Sequence, residues 1–152
     1  MQLTSPAFKN GDRIPSKYTC DGSNVNPELN ISDVPLNARC LVLLMEDPDV
    51  PETVRKERMW DHWVIFNVPP RTSRIPENSQ PSGIPGKNTD GNLNYQGPCP
   101  PDCEHRYFIK LYALDQELPL LKGSSKKEVE AAMQGHILAE AQLMGRYERN
   151  QR

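Results

Sequence analysis

Three short segments gather the residues able to do chemistry, and in each a carboxylate, imidazole, phenol or glycine stands beside proline or tryptophan. They are Asp47-Pro48-Asp49, Trp60-Asp61-His62-Trp63, and Gly97-Pro98-Cys99-Pro100-Pro101 leading into His105-Arg106-Tyr107. Brought together, they suit a small anion. A histidine near its ordinary pKa donates from both ring nitrogens, a tyrosine hydroxyl donates, and backbone N–H groups beside Gly97 would add more. Asp47 would hold the donors in place, and a carboxyl in a tight site can itself stay protonated and donate. Prolines would stiffen the walls and lower the ordering cost of binding. Taken singly, the parts are ordinary. Asp47-Pro48-Asp49 reads as a turn, Arg106 as an ion-paired or solvated strand residue, and His62 equally well as a hydrogen-bonded residue at a core edge. His136, after Gly135, has no supporting neighbours in sequence. The combination of three segments is what carries the specificity.

Other chemistries have weaker sequence support. Cys20, Cys40, Cys99 and Cys103 form no C-x-x-C pair. Cys99-x₃-Cys103 followed by His105 could be a redox pair or three metal ligands, but buried or loop thiols are the favoured reading and no metal or cofactor is expected. Cys40 reads as a small core hydrophobe. There is no G-x-S-x-G elbow, phosphate-cradling glycine loop or H-E-x-x-H helix, so the reading is a binding protein and not an enzyme. A cysteine nucleophile with His105 lacks any feature that fixes its geometry.

Strands must position these residues. Fifteen prolines in 152 residues, about twice the usual ~5%, favour strands joined by shaped loops over a helical bundle. Arg39 to Glu46 reads as a strand buried on both faces. His62 to Val68 alternates Trp63, Ile65 and Asn67 against His62, Val64, Phe66 and Val68, with His62 at the strand entrance. His105 to Leu114 alternates Tyr107, Ile109, Leu111 and Ala113 against Arg106, Phe108, Lys110, Tyr112 and Leu114, and a final strand runs from Ile137 to Tyr147. Ser125 with Glu128 predicts a capping box before a short helix that stops at Gly135. The proline-, glycine- and asparagine-rich stretch from Arg71 to Pro101 is too long to be a passive connection. Pro51 to Arg58 reads as a solvated mixed-charge insertion.

The length fits one domain over residues 1–152. A net charge of −2 gives no global field to gather nucleic acid or an anionic membrane. The longest apolar run, Cys40 to Met45, is far too short to span a bilayer, and the opening residues show no secretory pattern, so the expected location is cytoplasmic.

In order, the segments resemble the phosphatidylethanolamine-binding protein family, also called Raf-kinase-inhibitor-like, in its prokaryotic branch. The resemblance runs from Tyr18-Thr19-Cys20-Asp21-Gly22 and Asn26-Pro27-Glu28-Leu29 through Asp47-Pro48-Asp49-Val50-Pro51, Asp61-His62-Trp63 and Asn67-Val68-Pro69. It continues through Gly97-Pro98-Cys99-Pro100-Pro101, His105-Arg106-Tyr107, Tyr112-Ala113-Leu114-Asp115 and Gly135-His136-Ile137-Leu138-Ala139. It implies a mainly β fold, a Greek-key antiparallel sandwich of a large and a smaller sheet with one or two short helices. It also implies a metal-free anion pocket at Asp47, His62, Gly97, Pro98, His105 and Tyr107, with Pro51 and Trp60 shaping the mouth. The implied ligands are phosphate, acetate, cacodylate or phospholipid head groups such as phosphoethanolamine, or a phosphorylated partner. An alternative is a kinase or protease inhibitor acting by surface docking; homodimerisation is a base-rate expectation. Three departures stand out. Cys103 replaces the usual glycine, which reshapes the loop or allows pairing with Cys20 or Cys99. The Pro51 to Arg58 insertion alters the rim, and the chain ends soon after its last strand, without the covering helix of eukaryotic members.

Overall fold

A computed structural model describes residues 1–149. Two antiparallel sheets are packed face to face. The smaller contains β1 (Gln2–Thr4), β2 (Leu29–Ser32) and β5 (Arg74–Ile75) in the order β1-β2-β5. The larger contains β3 (Cys40–Asp47), β4 (Trp60–Val68), β6 (Ile84–Pro85), β7 (His105–Leu114) and β8 (Ile137–Tyr147) in the order β6-β4-β3-β7-β8. β7 returns past β4 to pair with β3, the non-local step that a Greek-key topology requires.

β3 is buried along its whole length because it serves two cores. Leu41, Leu43 and Met45 meet Leu29, Ile31 and Ile75 of the small sheet, while Cys40, Val42 and Leu44 face the helix α1 (Lys126–Met133) through Val129 and Met133. α1 starts where expected. The Ser125 hydroxyl accepts from the Glu128 N–H, and the Glu128 carboxylate accepts from the Ser125 N–H at 3.0 Å. A 3₁₀ turn at Ser16–Tyr18 is the other helical element among the described residues.

β4 corrects the sequence reading in two places. It begins at Trp60, so His62 lies inside the strand and not at its entrance. Met45 pairs with Trp63 but Glu46 pairs with Asp61, leaving His62 as the extra residue of a β-bulge. A bulge re-aims side chains by breaking the period of two. His62 therefore joins the sandwich side, with its ring edge-on to Tyr107 at 5.3 Å between centroids, instead of sharing a face with Val64 and Phe66. A second irregularity follows at Asn67, in the left-handed region at φ 52°, and turns Val68 into the sandwich core. The Asn67 amide there exchanges two hydrogen bonds with the Leu118 main chain, at 3.0 and 2.8 Å.

Candidate functional site

A cavity of about 220 Å³ opens where β3, β4 and β7 end together. Asp47, Trp60, His62, Gly97, His105 and Tyr107 line it, as expected from the three segments. Cys99, Pro100 and Pro101 of the third segment line it as well, and so do Val50, Val54 and Gln96, which were not expected there. Two expected residues are displaced. Pro51 lines a neighbouring groove with Asp49, Glu52 and Arg58, and Pro98 is buried, its carbonyl accepting from the Cys20 N–H at 3.1 Å. The 51–58 insertion keeps its charges in water, with Arg58 paired to Glu52 and Arg55 to Glu57, but it sends Val54 to the rim.

Gln96 clasps one wall. Its carbonyl oxygen lies 2.6 Å from His62 Nδ1, its side-chain oxygen accepts from the Trp60 indole N–H at 2.7 Å, and its side-chain nitrogen donates to Asp90 at 2.5 Å. A carbonyl can only accept, so Nδ1 carries the proton and Nε2 is left with its lone pair. Burial pulls His62 down to about 4, outweighing the support of the Gln96 carbonyl, so the ring is neutral at pH 7. This corrects the expectation of a ring donating from both nitrogens: His62 offers the pocket an acceptor.

The same shift sets an acid limit. An unfolded His62 protonates near 6.5 and the folded one near 4, so the stabilisation is complete above 6.5 and lost as pH falls toward 4. The loss reaches about 3 kcal/mol at 1.36 kcal/mol per pKa unit. Urea unfolding at pH 7.0 and 4.5 is expected to show about 2 kcal/mol of that fall in the native chain and less in His62→Gln; equal falls in both would assign the acid sensitivity to other groups.

The opposite wall is a carboxylate-bound histidine. His105 Nδ1 is 2.6 Å from Asp47 Oδ2 and Nε2 is 2.6 Å from Asp102 Oδ1, with the His105 side chain wholly buried. Burial lowers the pKa of His105, but the Asp47 and Asp102 carboxylates outweigh it and the net direction is up. Burial also raises Asp47, against hydrogen bonds from His105 and the Asp49 N–H. Asp47 thus holds His105 and the turn at Asp49, and not His62 or the Gly97 loop. Asp49 in turn receives the Arg106 guanidinium at 2.9 and 2.8 Å, which keeps its carboxyl below the ordinary range and makes Arg106 the ion-paired strand residue expected. His136 belongs elsewhere, 2.9 Å from Asp115.

Tyr107 stands between the walls. Burial drives its pKa up, with the charge of the Asp47 carboxylate and a hydrogen-bonding contact to it adding to the effect, yet among the described residues the buried hydroxyl finds no well-aligned partner. A buried hydroxyl without a partner is uncommon and points to a ligand or solvent contact.

Two loops close the end of the cavity. Cys20 and Cys99 form a disulfide, which corrects the reading of these cysteines as thiols and leaves Cys103 outside the bond. Cys40 is the buried hydrophobe expected; burial raises its thiol to about 11. Gly97 is required by close approach: a Cβ there would strike the Tyr18 carbonyl oxygen and the Asn24 side chain. Its N–H donates to Asn24 Oδ1 at 2.8 Å, so the backbone donor expected at Gly97 is already committed. Gly97→Ala is expected to destabilise the fold by about 2 kcal/mol through this overpacking. Thermal melting checks it; an unchanged midpoint would mean that the two loops can separate freely.

The family model for phosphatidylethanolamine-binding protein matches residues 4–148. The chain belongs to the phosphatidylethanolamine-binding protein family. A Chlamydia muridarum relative named UPF0098 protein is 48% identical over 150 residues, covering 99% of this chain and 100% of the relative. A Methanothermobacter thermautotrophicus relative with the same name is 48% identical over 155 residues, covering 98% and 99%. The crystal structure of the phosphatidylethanolamine-binding protein homologue CT736 from Chlamydia trachomatis superposes with a TM-score of 0.95 at 48% identity, covering 98% of this chain and 97% of that one. Escherichia coli YbcL, described as a new member of the mammalian family, gives 0.87 at 28% identity, covering 98% of each. These likenesses place the chain in the prokaryotic part of the family and match the mainly β, two-sheet fold. No helix among the described residues is long and apolar enough to cross a membrane.

Proposed function

We propose that the cavity binds a small oxyanion of phosphate type, as a free ion, a phospholipid head group or a phosphoryl group on a partner, and does so without turnover. The observation that carries this reading is the Tyr107 hydroxyl, a buried donor in the cavity wall whose contact with the Asp47 carboxylate falls short of a well-aligned hydrogen bond. The volume of about 220 Å³ lies below the ~300–1,000 Å³ usual for drug-sized ligands and suits a head group better than acyl chains. Turnover is left out of the proposal because the Cys99 sulfur is bound in a disulfide, His62 Nδ1 is held by a main-chain carbonyl, and both ring nitrogens of His105 are engaged by carboxylates. The expected cytoplasmic location is not carried into the proposal, because the Cys20–Cys99 disulfide favours oxidising surroundings.

Charge defines the ligand further. No lysine or arginine is among the described residues lining the cavity, and Nε2 of His62 is an acceptor. The favoured ligand is therefore a singly charged oxyanion that brings its own proton, accepting from Tyr107 and donating to His62. A dianion would have to take up a proton on binding, so either route adds one proton to the complex. Phosphomonoesters lose their second proton near pH 6, so the affinity for phosphoethanolamine is expected to fall roughly 50-fold between pH 6 and 8. Calorimetric titration at the two pH values checks this, and an affinity that holds or rises with pH would reject the proton-bearing ligand.

A further inference from the structure

The loop leaving the cavity wall ends in Asp102-Cys103-Glu104-His105, and three of these residues turn donor atoms toward one another. His105 Nε2, an Asp102 carboxylate oxygen and Cys103 Sγ all lie within 4.8 Å of one another. We propose that Asp102, Cys103 and His105 bind a divalent metal of zinc type at the outer edge of the cavity. The inference departs from the sequence expectation that the chain takes no metal, and it does not rest on the anion reading.

The histidine is held as a metal ligand must be. Its other nitrogen, Nδ1, is engaged at 2.6 Å by the buried Asp47 carboxylate, which fixes the ring plane and presents Nε2 to the loop. Ligating histidines commonly hand their second N–H to a carboxylate in this way, which raises their basicity. The donor set selects the metal. One sulfur, one imidazole nitrogen and one carboxylate oxygen match zinc sites with three protein ligands and an open fourth position, whereas calcium and magnesium call for oxygen alone. Cys99, which a C-x₃-C-x-H site would use, is committed to Cys20, and Asp102 takes its place.

The loop also has the freedom to adjust. Asp102 and Cys103 are exposed, so a metal can enter from solvent. Zinc–nitrogen and zinc–oxygen bonds of ~2.0–2.1 Å at a tetrahedral angle hold N and O about 3.4 Å apart. The present Nε2 to Oδ1 separation is 2.6 Å, so the Asp102 carboxylate must move by a fraction of an ångström to admit the ion. Binding releases the Cys103 thiol proton and any proton on Nε2 to solvent, forming zinc–sulfur, zinc–nitrogen and zinc–oxygen bonds with no change of oxidation state.

The test is calorimetric titration of the full chain with zinc chloride, without thiol reductant, beside absorption spectra with cobalt(II). One zinc per chain is expected at micromolar affinity or tighter, and cobalt is expected to give a thiolate charge-transfer band. Cys103→Ser should abolish that band and weaken zinc by at least about tenfold, a loss that removing even an orienting hydrogen-bond partner can produce. Asp102→Asn should also weaken zinc, and His136→Ala should not. Both loop positions are exposed, so the variants are expected to fold, which circular dichroism checks. No saturable binding below millimolar zinc would overturn the site, as would binding that persists unchanged in Cys103→Ser.

Discussion

Replacing Cys20 and Cys99 by alanine is expected to cost the native state about 4.5 kcal/mol, the loop-closure entropy of a bond spanning 79 residues. The bond joins the segment after the 3₁₀ turn to the loop that walls the cavity, where the Cys20 N–H also reaches the Pro98 carbonyl. Its loss should therefore loosen Gly97 and Cys99 together and reduce anion affinity along with stability. Urea unfolding of the native and double-alanine chains measures the first effect. A difference under about 1 kcal/mol would mean that the unfolded chain is compact enough to make the crosslink redundant. The bond also bears on the expected compartment, because such bridges persist mainly where the surroundings are oxidising.

The second large effect lies on the opposite face of the large sheet. Lys126, at the first turn of α1, reaches Glu46 of β3 at 3.1 Å and Asp61 of β4 at 3.0 Å, and the Lys126 and Glu46 side chains are almost wholly buried. Lys126→Met would leave Glu46 buried without its principal cation, with only the more exposed Lys110 at 3.3 Å. Breaking such a pair from one side costs about 3–5 kcal/mol, mostly the penalty of an uncompensated buried charge. Because Asp61 precedes His62, the variant should also shift the His62 resonances. Adding Glu46→Gln should recover part of the stability. A Lys126→Met melting midpoint equal to the native one would show that water reaches Glu46 freely.

The long elements could be read in the sequence because their residues repeat a pattern. β7 alternates buried with more exposed residues from His105 to Lys110, β3 is a continuous apolar run, and α1 announces itself through Ser125 and Glu128. β1, β2, β5 and β6 run two to four residues each, too short for any period to register, and exist because tertiary contacts hold them. The bulge at His62 was hidden for a related reason. It depends on how β4 pairs with β3, and a one-residue slip reverses which face a side chain occupies. The convergence of Asp47, Trp60, His62, Gly97, His105 and Tyr107 was legible from three clusters of polar residues beside prolines. The partners within that convergence were not. The Gln96 carbonyl on His62, Asp102 on His105 and Asn24 on Gly97 come from loops with no repeating pattern to reveal their neighbours.

The most direct measurement is an NMR titration of the ¹⁵N-labelled chain with phosphate and phosphoethanolamine at pH 6, in the native protein and in Tyr107→Phe. Saturable shifts are expected at His62 Nε2, Gln96 and Tyr107, and their midpoint should move at least about tenfold upward in the variant, the effect of losing one hydrogen bond to a charged group. If these nuclei do not respond at millimolar ligand, or if Tyr107→Phe titrates like the native chain, the cavity is not the anion site.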